Sequence, residues 1–136
     1  MSTSNRSGRR EARERAIELA YEAEQRGQDV DAMLASLVLP PDDYTVTLLR
    51  AAEDHREDVE QRIAQKSRGW TLARMPLLDR LIMRLAVAEL LTQDDVPTAV
   101  VLAEATELAG RFSTDDSSRF VNGVLAAIGR ELRPAP

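Results

Sequence analysis

The sequence has no cysteine and a single histidine among 136 residues. The first absence excludes a disulfide framework, thiolate zinc ligands and a cysteine nucleophile. The second excludes multi-histidine metal centres. No glycine-rich phosphate loop is present. Charged residues interrupt the apolar stretches every few positions, so no segment reads as membrane-spanning. The polar, basic N-terminus lacks the apolar stretch of a secretory signal. A reduced, cytoplasmic setting is expected, with no membrane, metal or cofactor.

What is there is 43% hydrophobic and 30% charged, the balance of an ordinary globular chain. The net charge is −5, which at first argues against a polyanionic partner. The charge is uneven, however. Residues 1–15 hold Arg6, Arg9, Arg10, Arg13 and Arg15 against Glu11 and Glu14. The chain is an acidic body with an arginine-rich leading edge, and phosphate affinity depends on such local cations rather than on the total. The bland alternative is a solubilising terminus.

The apolar spacing is helical throughout, with no useful strand alternation. Residues 1–8 read as a flexible polar tail and residues 9–133 as a single domain. Ser7 or Gly8 leads into a first helix carrying Ala12, Ala16, Leu19, Ala20 and Ala23. A short second helix starts after Asp29 or Asp31 and stops at Pro40 and Pro41. Tyr44, Leu48, Ala52, His55, Val59 and Ile63 step by three or four and predict one helix over residues 43–65. On that stripe His55 is expected to be partly buried and structural. Trp70 follows Gly69 in a short connection, with a turn over 71–74, and is expected to plug an edge of the core, with a ligand platform as the alternative. Pro76 opens a helix apolar on nearly every face, expected to be central. Pro97 opens the next, and the last begins near residues 115–117. The sum is an all-α bundle of six or seven helices.

Chemistry is sparse. No serine or cysteine is spaced around His55 for catalysis, and a non-catalytic protein is expected. Asp115, Asp116, Ser117 and Ser118 suit a helix cap. Gly123 inside the last helix is costly, and with Asn122 it suggests a tight helix crossing. Phe120 and the Asp115–Asp116 turn are left as candidates for a functional surface.

These residues fall into an ordered series. Arg9-Arg10-Glu11-Ala12-Arg13-Glu14 is followed by Ala20-Tyr21. Leu78-Asp79-Arg80-Leu81-Ile82-Met83-Arg84-Leu85-Ala86 leads to Glu89-Leu90-Leu91. Asp95-Val96-Pro97 precedes Glu104-Ala105-Thr106-Glu107-Leu108-Ala109. The most specific member runs Phe112-Ser113-Thr114-Asp115-Asp116-Ser117-Ser118-Arg119-Phe120-Val121-Asn122-Gly123-Val124-Leu125. Over residues 9–132 the series resembles the NusB transcription antitermination family.

The resemblance implies two small helical subdomains. It implies a protein that binds the boxA element of ribosomal RNA leader transcripts jointly with ribosomal protein S10 (NusE). With other Nus factors on RNA polymerase, such a protein supports processive transcription; some members form homodimers. Arg6, Arg9, Arg10 and Arg13 are then candidates for phosphate contact, and Tyr21 for stacking or hydrogen bonding, with core packing as its alternative. Asp116 and Phe120 line the site by motif. Asp79, Arg80 and Arg84 are candidates for the S10 contact. Two other classes stay open: an accessory domain of a ribosomal RNA cytosine methyltransferase, disfavoured because no methyl-donor domain follows, and a helical interaction protein that does not bind RNA.

Overall fold

The structure is a computed structural model. It describes residues 2–71 and 74–134, with the side chains of residues 2–7 outside the description. Seven helices follow in order: α1 (Ser2–Arg26), α2 (Val30–Ala35), α3 (Asp43–Asp54), α4 (Arg56–Lys66), α5 (Leu77–Thr92), α6 (Thr98–Phe112) and α7 (Asp115–Leu132). No strand occurs among the described residues.

α5 is the central element. Every residue from Leu81 to Leu90 is buried, Arg84 and Glu89 included. A helix apolar on all sides has to be enclosed by others, and α5 packs against α1 and α3 as well as α4, α6 and α7. Those two groups of helices share α5 and one continuous apolar cluster. Leu19, Leu48 and Leu49 come from the first group, and Ile63, Val101, Leu125 and Ile128 from the second.

The helix ends follow local chemistry. Asp29 accepts a hydrogen bond from the Ala32 N–H at 2.7 Å and starts α2; Asp42 does the same for Tyr44 at 2.8 Å and starts α3. Gly27, at φ 63°, ends α1 in the left-handed conformation that glycine adopts without penalty. The cap of α7 is Thr114, whose Oγ1 accepts from the Ser117 N–H at 3.0 Å. Asp115 and Asp116 instead occupy the first turn, where carboxylates suit the positive helix end.

Four expectations change. α1 begins at Ser2, ahead of the Ser7–Gly8 start, because nothing but Gly8 interrupts helical geometry there, at a cost of ~1 kcal/mol. The helix expected over residues 43–65 breaks at His55, which has φ −110° and is exposed. Between buried Ala52 and buried Val59 the chain reads Glu-Asp-His-Arg-Glu-Asp, so no apolar anchor holds the helix straight. Gly123 marks no tight crossing: a Cβ there would meet nothing within 4 Å. Asn122 beside it is exposed and accepts a hydrogen bond from Thr106 Oγ1 at 3.3 Å. Trp70 is no plug, being 52% exposed. The turn expected over residues 71–74 lies partly outside the described residues.

Candidate functional site

The α1 arginines project onto neighbouring carboxylates. Arg13 is 7% exposed. Its Nε donates to Glu89 Oε1 at 3.0 Å and its Nη2 to Oε2 at 2.7 Å, a bidentate charge-assisted pair. Glu104 Oε1 lies 3.6 Å from Arg13 Nη1. The Tyr44 hydroxyl also donates to Glu89 Oε2, at 2.5 Å. One buried carboxylate of α5 thus holds α1 and α3 together.

The protonation states fit this network. Burial disfavours the Arg13 charge, but the hydrogen bonds and charge of Glu89 more than offset it and raise its pKa. Burial, then the hydrogen bond to Glu89, pushes the Tyr44 hydroxyl well above its ordinary 10.0. Both groups keep their protons at neutral pH.

Arg9 and Arg10 lie further out. The Arg9 guanidinium stands 4.7 Å over the Tyr44 ring and pairs with Asp95 at 3.3 Å. Arg10 Nε donates to Glu104 at 3.2 Å and its Nη2 approaches Glu107 at 3.7 Å. The Glu104 hydrogen bond, followed by the charges of Glu104 and Glu107, raises the Arg10 pKa. Arg15 pairs with Glu18. Arg111 of α6 reaches back to Glu14 at 2.9 Å. The arginine edge is therefore largely neutralised within the fold. Pairs exposed on both sides, such as Arg9–Asp95, contribute little each; Arg10–Glu104 is exposed on the arginine side alone and Arg13–Glu89 on neither. The Arg6 side chain lies outside the description.

The second candidate region lies near the start of α7. Tyr21 of α1 is 41% exposed and lines neither this region's cleft nor its groove. Asp116 is exposed and bonded to Arg119 one turn on. Phe120 is half-buried against the core edge, its ring centroid 6.2 Å from that of Trp70 at a 59° tilt. A cleft of about 310 Å³ opens beside this pair, bounded by Met75, Pro76, Asp79 and Asp116. Asp79 is 2% exposed, and its Oδ1 has no hydrogen-bond partner among the described residues. A buried polar atom without a partner is uncommon in a folded protein, and this one belongs to a residue that lines the cleft.

The other α5 candidates differ. Arg84 is buried and donates to Glu60 at 2.7 Å. Burial, then the neighbouring Arg56 charge, lowers its pKa. Arg80 approaches Glu24 at 3.6 Å and does not line the cleft. The structure therefore brings Asp79, Asp116 and Phe120 together and leaves Arg80 and Arg84 apart from them.

A larger groove adjoins the same two rings, between the C-terminal end of α4 and α7, with a volume of about 760 Å³. Lys66, Arg68, Arg119 and Arg130 line it, with Glu131 as the only acidic lining residue. Lys66 pairs with Glu131 at 2.8 Å, and this bond, ahead of the surrounding charges, lowers the Glu131 pKa. Among the described residues Arg68 and Arg130 have no carboxylate partner. Arg68 has φ 38° and Gly69 φ 83°, a left-handed pair that turns the chain so that Arg68 and Trp70 both face the groove. Holding a non-glycine residue there costs ~1–2 kcal/mol. Gly123 lies in the groove wall, where it costs the helix ~0.5–1 kcal/mol relative to alanine with no packing gain in return. Single-sequence reasoning missed this groove, because Arg68, Trp70 and Arg130 lie on separate elements; the signal available was an unexplained Gly123.

The model of the NusB family matches residues 10–130. The transcription antitermination protein NusB of Saccharopolyspora erythraea is 47% identical over 134 residues, covering 92% of this chain and 90% of that protein. Its namesake from Nocardioides sp. is 42% identical over 128 residues, covering 91% and 95%. Among solved structures, NusB of T. maritima superposes with a TM-score of 0.81 at 30% identity, covering 90% of this chain and 91% of that one. A structure of antitermination factors NusB and NusE in complex with dsRNA shares the fold, with a TM-score of 0.77 at 24% identity, covering 92% and 98%.

Proposed function

The chain belongs to the NusB family, whose matched relatives are transcription antitermination proteins and not an enzyme family, and on that premise we propose that it binds boxA RNA of ribosomal RNA leader transcripts. It does so jointly with ribosomal protein S10 (NusE), within an RNA polymerase antitermination complex in the cytoplasm. The observation that carries this reading is the family match across residues 10–130, which takes in Arg10 and Arg13 of α1 and the start of α7 from Asp116 to Phe120. Among the described residues no helix is long and apolar enough to cross a membrane.

Within this reading each residue has a role. Arg9 exchanges the exposed Asp95, and Arg10 the exposed Glu107, for phosphates as RNA arrives. Arg13 acts as a positioning residue that sets α1 against α5 and α6. Tyr21 and Phe120 supply surfaces for splayed bases, as single-stranded RNA recognition requires. Asp116 accepts hydrogen bonds from base amino groups. Asp79, with its open carboxylate oxygen, takes a donor from S10 or from the RNA edge. The acidic body suits a basic protein partner.

The test is titration of a fluorescent boxA-like RNA and a scrambled RNA, each with and without S10. Tighter, salt-sensitive binding of the boxA-like RNA in the presence of S10 is expected. Equal affinity for the two RNAs, or no binding with S10 present, overturns the reading.

A further inference from the structure

We propose that the groove between α4 and α7 is a subsite for one nucleotide of single-stranded RNA, with Trp70 as its stacking platform and Arg68 and Arg130 on the flanking phosphates. The proposal rests on the RNA-binding reading above and extends it to a part of the surface remote from the α1 arginines.

Four observations converge. The groove holds about 760 Å³, within the usual ~300–1,000 Å³ for small-molecule sites. It contains a large ring left 52% exposed although a half-buried aromatic stands next to it. Arg68 and Arg130 form no ion pair among the described residues, since the lining carboxylate Glu131 is held by Lys66, unlike every described arginine on α1. Gly123 leaves the wall without a side chain where one would meet nothing. An aromatic face flanked by unpaired cations is the pattern that binds single strands, since every base has a face to stack and every link a phosphate. The excess of cations disfavours a basic protein segment in the same place.

The chain has one tryptophan, so indole emission reports on this groove directly. The protein–S10 complex is titrated with the boxA-like RNA, using Trp70→Phe as the blank for S10 emission. We expect saturable quenching whose midpoint coincides with RNA binding read by anisotropy. Trp70→Ala should weaken binding about tenfold and Trp70→Phe should restore most of it, as loss and rescue of one stacked base. Arg68→Ala with Arg130→Ala should reduce the slope of log affinity against log salt by about 1.4, two single-strand phosphate contacts. Unchanged emission with full RNA affinity in all three variants overturns the subsite and leaves the RNA reading standing. Emission changed by S10 alone, with S10 affinity lost in Trp70→Ala, makes the groove a protein contact and overturns the proposal. Absence of any RNA binding with S10 removes both.

Discussion

The α1 edge and the α4–α7 groove both concentrate cations, and they use them in opposite ways. On α1, Arg9, Arg10, Arg13 and Arg15 each meet a carboxylate, and Arg13 is sealed into the core with Glu89. In the groove, Arg68 and Arg130 meet none among the described residues, beside an exposed indole. A guanidinium already paired has to give up its partner before it holds a phosphate; an unpaired one does not. Counting arginines along the sequence therefore measures the capacity for ion pairing, and only the structure separates arginines that build the fold from those left for a ligand.

The sharpest way to break this contrast is at Glu89. Glu89→Ala leaves Arg13 buried with Glu104 as its remaining carboxylate and Tyr44 without an acceptor. The expected loss of stability is about 3 kcal/mol, the lower end for a broken buried pair, measured by chemical denaturation. An unchanged midpoint would show that Arg13 is as exchangeable as its neighbours. Next comes Tyr44→Phe, which removes a hydrogen bond to a charged group and should cost about 1.5–3 kcal/mol. This variant also carries a pH signature. The Tyr44 pKa is raised on folding above its ordinary 10.0, so its contribution is complete below that pH and is lost as pH rises beyond it. Denaturation at about pH 9 and about pH 11 should show wild type declining more steeply than Tyr44→Phe.

Effects on folding in the groove should be smaller, and one should be favourable. Gly123→Ala should stabilise the protein by about 0.5–1 kcal/mol, because the helix gains and no neighbour is touched. Gly129→Ala is the control: its Cβ would lie 3.0 Å from Thr98 Cγ2, so the same gain should not appear. Smallest of all, Arg68→Ala with Arg130→Ala should alter stability by less than about 0.5 kcal/mol, as substitutions at unpaired surface positions do. A large loss would mean that these arginines also serve the fold.

The helices were legible wherever apolar residues marked a face. α5 stood out by being apolar on nearly every side, and Pro76 and Pro97, read as the first residues of α5 and α6, stand one position earlier as their N-caps. The break at His55 was not legible, because the stripe from Tyr44 to Ile63 keeps its period across it. Period alone does not show that the one polar member of a stripe points to solvent. Asp116 and Phe120 were found as neighbours through their motif. Arg13 was found as important for a reason that its burial changes: a residue on the apolar side of α1, between Ala12 and Ala16, faces inward whatever its charge. Trp70 and Arg68 escaped because their neighbours in space, Phe120 and Arg130, are about fifty residues or more away along the chain, beyond the reach of any local pattern.

The reach of Glu89 also bears on how the chain is made. Arg13 and Glu89 are 76 residues apart, and Arg10 and Glu104 are 94 apart. During vectorial synthesis α1 emerges first, yet the carboxylates that fasten it are supplied only when α5 and then α6 have been added. Of these three helices the first to be made is thus among the last to be secured, and until then Arg10 and Arg13 are presented to the surroundings without Glu89 and Glu104.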